Sequence, residues 1–102
     1  MIDSRIQTMI DEYIQLMRSD QLPVSRVYVF GVHAKGRFND GDLIHTAVVL
    51  EDWEDFDEIK RKLIRLRRNV DQRISPFPYL ESEFENKDTG AVEIMETGVQ
   101  IL

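Results

Sequence analysis

The sequence predicts an α/β fold of the α+β kind, in which a small mixed sheet carries helices packed on it. Two segments have apolar residues at helical spacing, and short runs of β-branched and aromatic residues lie between them. The 102 residues contain no internal repeat, linker or low-complexity tract. A chain of this length fits a single domain, residues 1–102, with one modest core.

The N-terminal segment has the pattern of an amphipathic helix from about residue 4 to residue 18. Its apolar positions repeat at steps of three and four and are Ile6, Met9, Ile10, Tyr13, Ile14 and Met17. Asp3 or Ser4 is expected to cap the start of this helix. The helix is expected to end before Pro23, because proline disfavours helix in the residue that precedes it.

The central segment, residues 27–50, predicts a strand, a glycine turn, a short helix, a loop and a second strand. Residues 27–30 are β-branched and aromatic without a polar break, which favours a buried strand. Gly31 and Gly36 bracket the short helix, and residues 47–50 form the next apolar run. A glycine at a strand end allows backbone N–H groups to approach a phosphate closely.

A longer helix is predicted after the second strand, opening in residues 51–55 with capping-box-like spacing of Asp52 and Asp55. Its buried stripe is predicted to be Phe56, Ile59, Leu63, Leu66 and Val70. Two acid–base pairs have the favourable order for helix ion pairs, Asp57 with Arg61 and Glu58 with Lys62. Residues 60–68 carry six basic side chains, which we interpret as a solvated face, the alternative being a docking surface for an acidic partner.

The remaining chain predicts two further strands and a short helix. Polar and apolar residues alternate over residues 70–74, which favours a third strand ended by Pro76 and Pro78. Residues 80–88 predict a loop with a helical turn. Residues 89–97 predict a short helix stopped by a glycine, and residues 99–102 predict a terminal strand.

Composition excludes several functional classes. The chain has no cysteine, so disulfides and thiolate metal sites are excluded. No apolar run approaches the length of a membrane span and no secretory signal is visible, so the cytoplasm is the expected location. The formal net charge of −6 argues against general nucleic-acid binding, which depends on neutralising phosphates.

Gly31, Ala34 and Gly36, followed by a loop and an apolar strand, resemble the signature of the minimal nucleotidyltransferases of the DNA polymerase β superfamily. That signature reads Gly-Ser-x-Ala-x-Gly, then a loop, then Ser-Asp-x-Asp-Leu leading into a strand. The resemblance covers most of the chain and implies a nucleotidyltransferase-like domain. It also implies that a nucleotide phosphate would be held by Gly31, Val32, Ala34, Lys35 and Gly36.

The same resemblance places the metal-binding positions on residues unsuited to magnesium. The two aspartates of the signature correspond to Leu43 and His45, while Val32 and Asp42 replace its two serines. Magnesium prefers oxygen ligands, whereas leucine offers none and histidine suits zinc or copper better. The third aspartate of the family corresponds to Asp71, so three carboxylates become one. We therefore predict a residual catalytic position at Asp71, no metal site and no resident cofactor.

Three functions follow as hypotheses. In the first, the domain has lost two-metal nucleotidyl transfer and acts by binding, because the resemblance implies an antitoxin-like pairing with a small helical HEPN protein. In the second, an active enzyme moves a nucleoside monophosphate from a triphosphate to a protein or small-molecule hydroxyl, with Mg²⁺ held by Asp71 and either Asp40 or Asp42. In the third, a homodimer forms through the terminal strand, since an unpaired strand edge promotes association.

The glycine turn and the two histidines each have a structural and a functional interpretation. The glycine turn either binds a nucleotide phosphate through backbone N–H groups or is only a tight connection. His33 and His45 either form hydrogen bonds or meet Asp71 at a transition metal.

Overall fold

The computed structural model describes residues 2–86 and 90–102, and over these residues the sheet has four strands in the order β3-β2-β1-β4. β1 is antiparallel to β2 and β4, and β2 is parallel to β3. The elements in chain order are α1 (Ser4–Ser19), β1 (Val24–Phe30), α2 (Val32–Lys35), β2 (Ile44–Leu50), α3 (Phe56–Arg67), β3 (Ile74–Leu80), α4 (Glu81–Glu85), α5 (Ala91–Thr97) and β4 (Val99–Gln100). The predicted α+β class with a mixed sheet is confirmed.

The two faces of the sheet have separate apolar layers. One face packs against α1 and α3, and its buried residues include Ile10, Val27, Val48 and Leu63. The Tyr13 hydroxyl donates a hydrogen bond to the Leu63 carbonyl at 2.6 Å, which joins the two helices inside this layer. The other face packs against α4 and α5, with Tyr28, Ala47, Val49, Phe84, Ala91 and Ile94 buried.

The two long helices begin at aspartate caps. The Asp3 carboxylate accepts a hydrogen bond from the Arg5 N–H, so one of the two predicted caps is confirmed. The cap of α3 is Asp55, which accepts from the N–H groups of Asp57 and Glu58. The prediction that this helix opens in residues 51–55 with Asp52 in its cap was wrong, because the Asp52 carboxylate accepts from the neighbouring Trp53 N–H instead.

The surface of α3 carries one of the two predicted ion pairs. Lys62 lies 3.5 Å from Glu58, whereas no ion pair joins Asp57 and Arg61, both of which are described. The side chains of Arg61, Arg65 and Arg68 are exposed to solvent.

The third strand differs from its prediction. β3 runs from Ile74 to Leu80 and contains Pro76 and Pro78, which were expected to end it, while residues 70–73 form a turn. β3 is an edge strand, and alternate residues of an edge strand direct their backbone nitrogen away from the sheet. Proline at those positions removes no hydrogen bond to β2, so the strand continues through both.

The C-terminal elements follow the predicted order, but Leu80 belongs to β3 and the terminal strand, β4, covers only Val99–Gln100 of the predicted residues 99–102. The helical turn is α4, and α5 lies within the predicted residues 89–97. Residues 87–89, which include part of the predicted loop and the start of the predicted helix, lie outside the described residues. β4 pairs with β1 of the same chain, and the homodimer stays a prediction. Over residues 2–86 and 90–102, no helix is long and apolar enough to cross a membrane.

Candidate functional site

The glycine turn connects β1 to α2 with backbone geometry that requires glycine. Gly31 has φ 78° and ψ −149°, and a Cβ atom there would lie 3.1 Å from His45 Cδ2. Gly36 ends α2 in the left-handed region with φ 73°. Because a side chain is strained at positive φ, both glycines are explained by the connection that they form.

An aromatic cluster of Phe30, His45 and Phe77 lies beside the glycine turn. Phe30 on β1 is the register partner of His45 on β2, and their ring centroids are 5.5 Å apart. The Phe77 ring, on β3, lies 5.5 Å from Phe30 and 5.6 Å from His45. The His45 Nδ1 atom is buried and has no hydrogen-bond partner among the described residues. The position that the resemblance assigns to an aspartate is therefore packed against two aromatic rings, which also contact each other.

The residues around this cluster do not fit magnesium. Leu43 precedes β2 with half of its surface exposed, and it has no ligand atom. The residue of β3 in register with His45 is Ser75, so the neighbouring strand supplies a hydroxyl at that level and not a carboxylate. Among residues 2–86 and 90–102, no three His, Asp or Glu side chains are placed to hold a metal ion. His33, His45 and Asp71 are thus not brought together.

His33 anchors α2 to the loop that follows it. Its side chain is fully buried and stacks on Phe38 with a centroid distance of 4.4 Å. Its Nε2 atom lies 3.2 Å from the Asp42 carbonyl oxygen, which can only accept, so Nε2 carries the hydrogen. The Asp42 carboxylate accepts from the Asn39 N–H at 2.8 Å and is held within the same loop. These contacts give His33 and Asp42 a role in shaping the loop.

Asp71 lies in the turn before β3, and its carboxylate forms an ion pair with the guanidinium of Arg73. Both carboxylate oxygens of Asp71 accept from the Arg73 guanidinium, each at 3.0 Å. These hydrogen bonds lower the pKa of the Asp71 carboxyl below its usual range. Arg73 also donates to the Asp40 carbonyl at 2.8 Å, which ties the turn to the loop after α2.

Two cavities lie near the predicted site residues, and no residue lines both. A cavity of about 480 Å³ is lined by Asp71, Arg73, Asp40 and Phe38 together with the start of α1. A second cavity of about 240 Å³ is lined by Gly31 and Lys35 together with Phe30, Phe77, Tyr79 and Ile94. Asp71 and the glycine turn therefore line different cavities. Asp40 and Asp71 do share a cavity, as the hypothesis of an active enzyme requires.

Sequence reasoning missed the part of the site that β3 supplies. Phe77 and Tyr79 line the second cavity, but both fall after Pro76, where the strand was expected to end. The alternating aromatic residues between and after the prolines were the signal that this segment is an edge strand.

We expect Arg73→Ala to lower the free energy of unfolding by about 1 kcal/mol at pH 7, since it removes charge-assisted hydrogen bonds. The folded-state pKa of Asp71 is lowered, so this stabilisation is complete above the unfolded pKa and is lost as pH falls through the folded one. The difference from the unmodified protein should therefore shrink below about pH 4, leaving only the part due to the Asp40 contact. Urea unfolding at a series of pH values measures it. Arg61→Ala, on an exposed residue, is the control, and an equal loss at pH 3 and pH 7 would contradict the expectation.

Comparison with known proteins identifies the fold. No family model matches the chain, and no curated protein matches it. A candidate nucleotidyltransferase from Sulfolobus solfataricus has a similar structure, with a TM-score of 0.62, 16% identity and coverage of 94% of this chain and 78% of the other. A chain of the toxin–antitoxin MntA–HpeT, in a variant with two aspartates two positions apart changed to glutamate, has a TM-score of 0.59, 18% identity and coverage of 90% and 71%.

These likenesses show that the chain has a nucleotidyltransferase fold. Within that class, the arrangement is the minimal nucleotidyltransferase fold, which confirms the resemblance drawn from Gly31, Ala34 and Gly36.

Proposed function

We propose that this protein is a nucleotidyltransferase-fold domain that has lost nucleotidyl transfer and acts by binding a protein partner. The observation that carries the proposal is the aromatic cluster of Phe30, His45 and Phe77, which occupies the position assigned to a metal-binding aspartate. In two-metal transfer, metal ions stabilise the attacking and leaving oxygens, and carboxylates must hold those ions. Leu43 and His45 supply no carboxylate.

The partner class that we propose is a small helical HEPN-type protein, bound in an antitoxin-like manner. The likeness to a chain of the toxin–antitoxin MntA–HpeT supports this choice. Val32 and Leu43, each within two residues of Gly31 or His45 along the chain, expose apolar side chains that a docked protein would cover. A domain without catalysis would neutralise its partner by occlusion.

An active enzyme is the less supported alternative. It would hold Mg²⁺ with Asp71 and either Asp40 or Asp42. The pairing of both Asp71 oxygens with Arg73 and the engagement of the Asp42 carboxylate by Asn39 weigh against it. Asp71 and Gly31 also line different cavities, whereas transfer requires the phosphate and the metal to share one site.

The test combines a transfer assay with co-expression. The protein is incubated with labelled ATP, GTP, CTP and UTP and with Mg²⁺ or Mn²⁺, alone and with each HEPN-type protein encoded in the same genome. We expect no labelled product and a stable complex with one HEPN-type protein on size exclusion.

Two results would contradict the proposal in different ways. Metal-dependent transfer that is lost in Asp71→Asn but kept in Asp11→Asn, an exposed surface control, would establish the enzyme. Absence of a complex with every HEPN-type protein would refute the partner class while leaving the loss of catalysis standing.

A further inference from the structure

The cavity beside the aromatic cluster has the size and lining of a receptor for one side chain. Its volume is about 240 Å³, below the range typical of pockets that bind whole small molecules. Phe30, Phe77 and Tyr79 contribute aromatic surface, and Ile94 of α5 contributes aliphatic surface. Aromatic rings pack favourably against one another in offset or edge-to-face arrangements. A single aromatic side chain suits this cavity in both volume and chemistry.

The rim of the cavity carries one charge of each sign. Lys35, at the end of α2, and Glu93, on α5, both line the cavity and are exposed. Burial raises the pKa of the Tyr79 hydroxyl further above neutral pH, where a tyrosine is already protonated and can donate a hydrogen bond. A partner segment that inserts an aromatic residue would be complementary to this rim if it carried an acidic residue opposite Lys35 and a basic residue opposite Glu93.

The wall of the cavity includes an exposed aromatic side chain. Five large apolar side chains are exposed in the described part of the chain, and of these Phe77 lines the cavity. Val92 lies on α5, but helical spacing places it on the side of the helix opposite to Glu93, Ile94 and Thr97, which line the cavity. Phe56 begins α3 on the other side of the sheet. A small cavity with an exposed aromatic wall favours an inserted side chain of a protein over a whole small molecule.

We propose that this cavity receives a single aromatic side chain of a partner protein, presented on a segment with an acidic residue facing Lys35 and a basic residue facing Glu93. The inference rests on the proposed function, since it names the surface through which partner binding occurs. The aromatic residue acts as an anchor that packs against Phe30, Phe77 and Tyr79.

The anchor is tested with capped amino acids followed by NMR of the isotopically labelled protein. We expect N-acetyl-phenylalaninamide to cause saturable shifts at Gly31, Phe77 and Ile94, with a Kd on the order of 1 mM. N-acetyl-leucinamide is expected to bind about tenfold more weakly, since it forms no ring contacts, and N-acetyl-alaninamide should cause no saturable shift.

Two variants locate the binding. Thr97→Trp places an indole at the cavity, and Phe77→Glu places a charge on its wall, so each should abolish the saturable shifts. Phe56→Glu, which changes an exposed apolar residue away from the cavity, should leave them unchanged. Circular dichroism shows which variants are folded. One folded cavity variant is sufficient to test whether the amide binds in the cavity.

Three outcomes would overturn the inference: no saturable shift, equal binding of the phenylalanine and alanine amides, or binding unaffected by a folded cavity variant. Tighter binding of ATP at the same residues would also overturn it and make the cavity a nucleotide site. If the amides fail to bind while the complex with a HEPN-type protein forms, only this inference falls. If the amides bind and no such complex forms, the partner class falls instead.

Discussion

Replacing Gly31 by alanine is expected to lower the free energy of unfolding by about 3 kcal/mol. The backbone of Gly31 has φ 78° and ψ −149°, a conformation that residues with a side chain rarely adopt. The added methyl group would also lie 3.1 Å from His45 Cδ2, which is tighter than ordinary contact. Both effects act in the same direction, and the sum is a large fraction of the stability of a small domain. Urea unfolding measures the change.

Two other glycines separate these causes. Gly36 has φ 73°, and no atom lies within 4 Å of the position that a Cβ would occupy, so Gly36→Ala should cost only the backbone strain, about 1 kcal/mol. Gly41 has neither a positive φ nor a close neighbour, and Gly41→Ala should be nearly neutral. Equal effects at Gly31 and Gly41 would show that the tight connection between β1 and α2 is not what requires glycine.

His45→Asp, which places an acid where the resemblance expects an aspartate, should destabilise the protein by about 2 kcal/mol at pH 7. The carboxylate would pack against the rings of Phe30 and Phe77, at a position where the buried Nδ1 atom of His45 has no hydrogen-bond partner among the described residues. A charge placed in such surroundings loses hydration without gaining a partner.

His45→Asn is the matched control, because it has the shape of aspartate without its charge. The uncompensated aspartate would have a raised pKa in the folded state, so its deficit relative to asparagine is largest above that pKa and shrinks on acidification. Urea unfolding of both variants between pH 4 and pH 7 tests this. Equal stability of the two variants at pH 7 would show that the site still accommodates a carboxylate, and would weaken the proposed loss of magnesium binding.

The helices and the glycine turn were predictable because local information specifies them. The three- and four-residue spacing from Ile6 to Met17 defines one apolar face, and the Asp3 carboxylate caps the helix through its immediate neighbours. Gly31 and Gly36 mark the ends of α2, since each is required by the backbone at its own position. Residue identity was likewise sufficient to predict, from the resemblance, that Leu43 and His45 occupy positions of aspartates.

The third strand and the cavity beside it were not predictable in the same way. Proline ends a strand inside a sheet but is tolerated at an edge, and the sequence does not state which strand is at the edge. Once Pro76 and Pro78 are known to lie on an edge strand, Phe77 and Tyr79 come next to β2 and line the cavity. The hydrogen bonds from Arg73 to Asp71 were likewise not predictable, because they depend on the geometry of the turn before β3.

The sequence alone determined that this protein has helices on a small mixed sheet and a glycine turn, since spacing and residue identity carry that information, and its resemblance predicted that Leu43 and His45 replace carboxylates. Only the tertiary structure decided that His45 packs against Phe30 and Phe77 and that Asp71 lines a different cavity from Gly31. Such contacts join distant parts of the chain, and they depend on strand order and register, which no local pattern of residues specifies.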